Sequence, residues 1–287
     1  MSSTQNDVRL PTFIHIGPGK TGSTWLHEVL SLHPQVYLSP AKDLYYFSRY
    51  YDRGVDWYRA QFAQAPRDVP VVGEVCPDYL LRSEAAGRIR TTLGPDVRLM
   101  VTLRDPVDRA FSSYLYAAKH GLAQDSFRAT LAAQPEMIQE GLYATQLRPY
   151  LDAVGSSNIR IGVFDDFEAD PQAFLDATTD WLGVARQALT PEQLEAQLPA
   201  SRARFVPLAK FAKVAAGWVR NHDGANVVGR VKRAPVVQRL LYSPLGADRP
   251  TISAPDLDYL RSTFEPEVRT IEDEFGVPLR RRWGWVS

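Results

Sequence analysis

The stretch Phe13-Ile14-His15-Ile16-Gly17-Pro18-Gly19-Lys20-Thr21-Gly22-Ser23-Thr24-Trp25-Leu26 decides the fold. Phe13 to Ile16 is a short apolar run of β-favouring residues, and a Gly/Pro-rich turn follows it. From Thr24 to Leu32, the residues Leu26, Val29 and Leu30 recur at helical spacing. A glycine-rich loop between a strand and a helix suits an anion, because backbone N–H groups converge there and the helix N-terminus adds roughly half a positive charge. Gly17, Gly19 and Gly22 free the backbone, Lys20 brings a mobile cation, and Ser23 and Thr24 bring hydroxyl donors. An ordinary surface turn is the competing reading of a Gly/Pro/Lys cluster, and the position between strand and helix weighs against it. The Walker A pattern of nucleoside triphosphatases requires a glycine five positions before Gly19, where this chain has Ile14. The loop reads as phosphate-binding, but not of that kind.

Outward from this stretch the alternation continues. Gln35 to Leu38, Val69 to Val75, Arg98 to Leu103 and Ile159 to Phe164 are further buried-strand candidates, with helix-like stretches between most of them. Strands alternating with helices predict an α/β fold with a central parallel β-sheet flanked by helices. Asp105-Pro106 signals a helix start, with the helix running from about Val107 to Lys119. Asp256 to Phe275 carries Leu257, Leu260, Phe264, Val268, Ile271 and Phe275 at spacings of three and four, which predicts an amphipathic helix bent near Pro266.

With 287 residues, 45% of them hydrophobic, the chain can bury a substantial core, and one domain is the default. Lys+Arg and Asp+Glu both total 33, a balance that argues against a nucleic-acid partner bound by bulk charge, so an anion site must be local. Cys76 is the only cysteine, which excludes an internal disulfide framework and argues against a structural zinc cluster. No stretch reaches the roughly 18 apolar residues of a spanning helix, and Met1 to Leu10 lacks a basic stretch with an apolar run behind it, so the expectation is a soluble, cytoplasmic protein.

A second anion site is readable at Arg104-Asp105-Pro106-Val107-Asp108-Arg109-Ala110-Phe111-Ser112. Arg104 follows a predicted strand, at the edge where open α/β sheets bind ligands, and Ser112 falls about two turns into the next helix. A guanidinium fork suits a terminal phosphate, and a hydroxyl completes its oxygens. Alone, Arg-Asp-Pro reads more often as an ion pair or a cap; beside the first loop it reads as its complement.

The segment from Pro18 to Leu26 resembles the 5′-phosphosulfate loop of the sulfotransferase family that uses 3′-phosphoadenosine 5′-phosphosulfate, and Arg104 with Ser112 resembles that family's 3′-phosphate signature. The resemblance is closest to the heparan-sulfate-type and bacterial branch, covers roughly Phe13 to Phe167, and implies a P-loop-like sulfotransferase fold. It implies that Gly19, Lys20, Thr21, Gly22, Ser23, Thr24, Trp25, Arg104 and Ser112 bind the donor, with adenosine 3′,5′-bisphosphate as product and no metal. Lys20 would also stabilise charge on the leaving oxygen. His33 to Phe47 looks like the segment that places a glutamate general base beside the acceptor in the heparan-type branch; Asp43 matches that glutamate, one methylene shorter. A turn or cap aspartate is the other reading. Gly73-Glu74-Val75-Cys76-Pro77-Asp78-Tyr79 resembles a family Glu-Lys-x-Pro-x-Tyr segment in which Val75 replaces the lysine, so Glu74 is a candidate to position Lys20 or the acceptor, or a structural ion-pair partner. His15 reads as a packed histidine and His120 as a helix cap.

Residues 201–250 carry ten Lys/Arg against two Asp, a local balance of +8. Arg230, beside Gly229, is the nearest match to the family's late Lys-Gly-Arg loop, and Leu208, Phe211, Ala215, Trp218 and Val219 form an apolar stripe. The stripe suits packing on the core most often, and a lid or peripheral membrane contact otherwise. The expected organisation is a single sulfotransferase domain over 1–287, with a donor-binding core over 10–200, a basic insertion or lid over 201–250, and a C-terminal helix and tail over 251–287. The expected reaction is sulfuryl transfer to a hydroxyl of a carbohydrate or glycolipid acceptor. Sulfation of a lipid or secondary-metabolite alcohol is the alternative, ahead of a P-loop kinase or a noncatalytic binding module; oligomeric state stays open.

Overall fold

Five apolar runs become the five strands of one sheet: β1 (Phe13–Gly17), β2 (Val36–Leu38), β3 (Val71–Val75), β4 (Arg98–Leu103) and β5 (Ile159–Val163). In this computed structural model, which describes residues 8–195, 201–203, 242–244 and 251–286, every pairing in the sheet is parallel and the strand order is β2-β3-β1-β4-β5. The α/β class read from the sequence is the class observed. The chain leaves β1 to build β2 and β3 on one side, then crosses to build β4 and β5 on the other. That reversal beside β1 is where open parallel sheets open a crevice at their C-terminal edge.

The described residues fall into two units, Met1–Arg104 with Ala144–Gln197, and Asp105–Tyr143 with Leu198–Ser287. The first holds the sheet with the helices α1 (Ser23–Ser31), α2 (Tyr46–Arg49), α3 (Gly54–Ala60) and α4 (Ser83–Leu93). All five residues of β1 and of β3 are buried, so both faces of the central strands are covered, as a parallel sheet requires. On one face Trp25, Leu26, Val29 and Leu30 of α1 pack with Phe13, Val71, Val75 and Met100, each such burial contributing about 1.5–3 kcal/mol. Strand alternation turns Ile14, Val72 and the carboxylate-bearing Glu74 to the opposite face.

The second unit contains α5 (Pro106–Lys119), α6 (Phe127–Ala133) and α7 (Glu136–Gln139). The chain continues with α8 (Tyr143–Val154), and the first unit adds α9 (Phe164–Ala169), α10 (Pro171–Leu182) and α11 (Pro191–Glu195). A short antiparallel pair, β6 (Ser201–Ala203) with β7 (Tyr242–Pro244), and the helices α12 (Ala254–Phe275) and α13 (Leu279–Arg282) complete the second unit. β5 stops one residue before the sequence predicts, because Phe164 opens α9, whose first turn carries Asp165 and Asp166 where the helix dipole favours acids. Asp105 caps α5 as its sequence suggests, accepting a bond from the Val107 N–H at 2.8 Å and another from Trp285 Nε1 at 2.8 Å. Burial raises the Asp105 carboxyl to about 6, and these bonds only partly offset it. Val107, Ala110, Phe127, Leu131, Leu260 and Phe264 form this unit's core, and α12 continues through Pro266.

Candidate active site

The loop between β1 and α1 is held in a shape that few sequences tolerate. Gly17 has φ 133°, and a Cβ there would lie 2.5 Å from the Pro77 carbonyl oxygen, so glycine is required on both counts. The Gly17-Pro18 peptide bond is cis. Lys20 takes a left-handed conformation at φ 71°, a cost on the order of 1 kcal/mol or more for a residue with a Cβ. Thr21 Oγ1 donates to the Pro18 carbonyl at 2.9 Å and closes the loop on itself. Gly22, at φ 78°, is the N-cap of α1; no side chain caps the helix and no acid stands in its first turn. The first-turn N–H groups and the positive end of the dipole therefore face the loop without a neutralising side chain.

Arg104 extends from the end of β4 toward this loop. Its Nη1 donates to the Lys20 carbonyl at 3.3 Å, and its guanidinium carbon sits 4.5 Å from the Phe164 ring centroid. The structure thus brings Lys20, Thr21, Gly22 and Arg104 together at the C-terminal edge of the sheet. Ser23 is buried and Thr24 and Gly19 are half-buried beside them. Trp25 is 4% exposed, packs on Phe167 at 4.5 Å and donates from Nε1 to the Gln193 carbonyl at 2.9 Å. Its indole anchors α1. Ser112 lies half-buried on α5 in the second unit, and Arg230, with most of the basic 201–250 segment, lies outside the described residues.

A second cluster sits after β2 and β3. Asp43 has φ 64°, Tyr45 φ 57°, and the Asp43 N–H donates to the Val75 carbonyl at 3.0 Å, which fixes the segment to the end of β3. Lys42 Nζ is 3.1 Å from Asp43 Oδ1, with both side chains partly exposed. One residue before Val75, Glu74 is 0% exposed. Burial raises its carboxyl to about 7; the Tyr79 and Tyr58 hydroxyls pull the value down, and the negative charge of Asp43 pushes it up. Both carboxyl oxygens and both hydroxyls are buried without a hydrogen-bond partner. Among the described residues Glu74 has no ion-pair partner. Tyr58, from α3, went unread because no linear motif joins it to Glu74; Tyr79 stood in the quoted segment without a role.

His15 is packed, as its place in β1 suggests. Its Nε2 lies 3.1 Å from Thr102 Oγ1, and burial, with Lys42 next in effect, lowers its pKa to about 3. His120 caps α5, with Nδ1 2.8 Å from the Tyr116 carbonyl. Among the described residues no three His, Cys, Asp or Glu side chains gather to hold a metal ion, and no helix is long and apolar enough to cross a membrane.

Comparison with known proteins agrees with this geometry. The chain is 38% identical over 110 residues to the membrane-associated sulfotransferase kil1 of Dictyostelium discoideum, covering 38% of this chain and 23% of that protein. It is 32% identical over 187 residues to heparan sulfate glucosamine 3-O-sulfotransferase 6 of Mus musculus, covering 62% of this chain and 54% of that one. The chain thus spans about half or less of the length of these relatives. The solved sulfotransferase from Alicyclobacillus acidocaldarius superposes with a TM-score of 0.57 at 25% identity, over 81% of this chain and 100% of that one. The family described as the sulfotransferase domain matches residues 10–205, from just before β1 to beyond α11, and with the β1–α1 loop and Arg104 both inside that match the chain belongs to this family.

Proposed function

We propose that this protein transfers a sulfuryl group from 3′-phosphoadenosine 5′-phosphosulfate to a hydroxyl of a carbohydrate or glycolipid acceptor. The observation that carries the reading is the uncapped, acid-free N-terminus of α1, fronted by Lys20 and braced by Arg104. The path of the loop between β1 and α1 depends on glycine at position 17, where a Cβ would meet the Pro77 carbonyl. When bound, the donor supplies an activated sulfuryl group joined to a phosphate leaving group.

The chain's own residues then bind and orient. First-turn N–H groups of α1 and the hydroxyls of Ser23 and Thr24 hold the 5′-phosphate oxygens, and the Lys20 ammonium stabilises charge on the leaving oxygen. Arg104 takes the 3′-phosphate through its fork. An Asp43 carboxylate oxygen accepts the acceptor's hydroxyl proton, with Lys42 beside it steadying the charge. A carbohydrate acceptor is supported by the similarity to the heparan sulfate glucosamine 3-O-sulfotransferase relative.

Calorimetric titration with adenosine 3′,5′-bisphosphate, paired with a radiolabelled-donor assay over glycans, glycolipids and small alcohols, tests this reading. The expected results are tight binding by the wild type, loss of binding in Arg104→Ala, and turnover lowered about 10²–10³-fold with binding kept in Lys20→Ala. Wild-type behaviour of both variants overturns it.

A further inference from the structure

In the second unit, α5, α12 and the end of α13 line an open pocket of about 520 Å³, a size within the range of about 300–1,000 Å³ typical of small-molecule sites. Its wall is largely apolar: Val107 and Phe111 of α5, Ile252, Leu257 of α12, and Trp283 after α13. Val107 and Trp283 are buried, whereas Phe111, Ile252 and Leu257 are only partly so and leave apolar surface for a guest to cover. Set in this wall are one cation, Arg261, and two acids, Asp105 and Asp108. Asp105 is already committed, Oδ1 to the Val107 N–H and Oδ2 to Trp285 Nε1, each at 2.8 Å. Arg261 is not: its Nε is buried without a hydrogen-bond partner. Asp258 stands three residues before it and Glu265 four after, both positions from which a helix makes ion pairs. Glu265 pairs instead with Arg269 at 2.8 Å, and Arg261 joins neither acid. Asp108, exposed in the first turn of α5, likewise makes no side-chain hydrogen bond or ion pair among the described residues.

We propose that this pocket binds a zwitterionic small molecule with an apolar body, of the class of the aromatic α-amino acids. The carboxylate of the guest pairs with Arg261, its ammonium pairs with Asp108, and its ring lies on Phe111, Leu257 and Trp283. Charge decides for a zwitterion. One cation against two carboxylates disfavours a simple anion, and a simple amine leaves the partly desolvated Arg261 guanidinium without a partner. A guest with both charges satisfies the two side chains that the protein leaves unpaired, through charge-assisted hydrogen bonds, while its ring covers the apolar wall. The pocket shares no residue with the donor and acceptor groups of the proposed function, and the inference does not depend on them.

Nuclear magnetic resonance of the full chain, without donor, tests this. L-phenylalanine is titrated while the indole N–H resonance of Trp283, assigned by its loss in Trp283→Phe, is followed. A saturable shift is expected. Phenylpropionate and phenethylamine, each lacking one charge, and glycine, lacking the ring, are expected to bind at least about tenfold more weakly than phenylalanine. Arg261→Met and Asp108→Asn are each expected to weaken phenylalanine by a similar factor. The first variant then no longer distinguishes phenylalanine from phenethylamine, and the second no longer distinguishes it from phenylpropionate. No saturable shift with phenylalanine, a single-charge analogue that binds the wild type as tightly as phenylalanine does, or an affinity for phenylalanine unchanged in either variant overturns the inference. Comparison of the analogues needs the wild type alone, so it decides the matter should a variant fail to fold.

Discussion

The loop after β1 and the segment after β2 end at the same edge of one sheet, and each holds non-glycine residues at positive φ, Lys20 in the first and Asp43 with Tyr45 in the second. They are built on opposite plans. The first exposes backbone donors and a cation to a ligand, is closed by a bond within itself from Thr21 to Pro18, and owes its character to residues adjacent in sequence. The second fixes Asp43 through a bond to β3, follows it with rings of α2 that pack on Tyr58 of α3 and on Tyr79 after β3, and precedes in sequence the buried Glu74 of that strand. The proposed donor site comes from local geometry; the proposed acceptor site draws on groups far apart in the chain. Strain is found where each presents its functional group, as expected where surrounding structure over-determines the backbone.

The sharpest way to break the contrast is on the acceptor side. Asp43→Asn keeps shape and removes the base, so turnover is expected to fall by about 10²–10⁴-fold while bisphosphate affinity stays within a few-fold, read by steady-state kinetics and calorimetry. If affinity falls with turnover, the two regions do not divide donor from acceptor as described. On the donor side, Gly17→Ala forces a Cβ toward the Pro77 carbonyl and a left-handed φ on alanine, and is expected to lower stability by about 1–3 kcal/mol in denaturant unfolding, with bisphosphate binding weakened as well. An unchanged midpoint would show that the loop relaxes more readily than its geometry implies.

Glu74 sharpens the comparison through stability, because the sign of its effect is fixed by linkage. Its carboxyl is raised in the folded state from 4.5 to about 7, so the folded protein holds a proton that the unfolded chain has lost between those values. Stability from this group is full below about 4.5 and falls as pH rises toward 7 and past it. Glu74→Gln removes that dependence. Relative to the wild type, the variant is expected to be more stable at pH 8 than at pH 4 by up to roughly 3 kcal/mol, measured by denaturant unfolding at both values. A variant equally displaced from wild type at both pH values would mean that Glu74 does not titrate in the folded protein.

How much of this was legible follows from range. The loop, the start of α5 at Asp105-Pro106 and the span of α12 were readable because glycine placement, capping chemistry and helical spacing act over a few residues. Trp25 shows the limit: its position in the loop motif groups it with the donor-binding residues, yet its indole is committed to a carbonyl 168 residues away at Gln193 and to the ring of Phe167. Glu74 shows it more strongly. Its sequence neighbours allow an ion pair, a strand end or a catalytic role, and only packing reveals a carboxyl with two phenols and no cation among its perturbers.

The sequence by itself determined a parallel α/β sheet, a glycine-rich loop with Lys20 between strand and helix, and an arginine at the end of β4, because backbone freedom, alternation and charge at a helix terminus are local properties of a chain. Tertiary structure alone decided that Arg104 braces the Lys20 carbonyl, that Trp25 serves the core, and that Glu74 titrates near neutrality. Desolvation is the physical reason for the last of these: a carboxyl's proton affinity depends on whether water reaches it, and that is decided by packing and not by its neighbours in sequence.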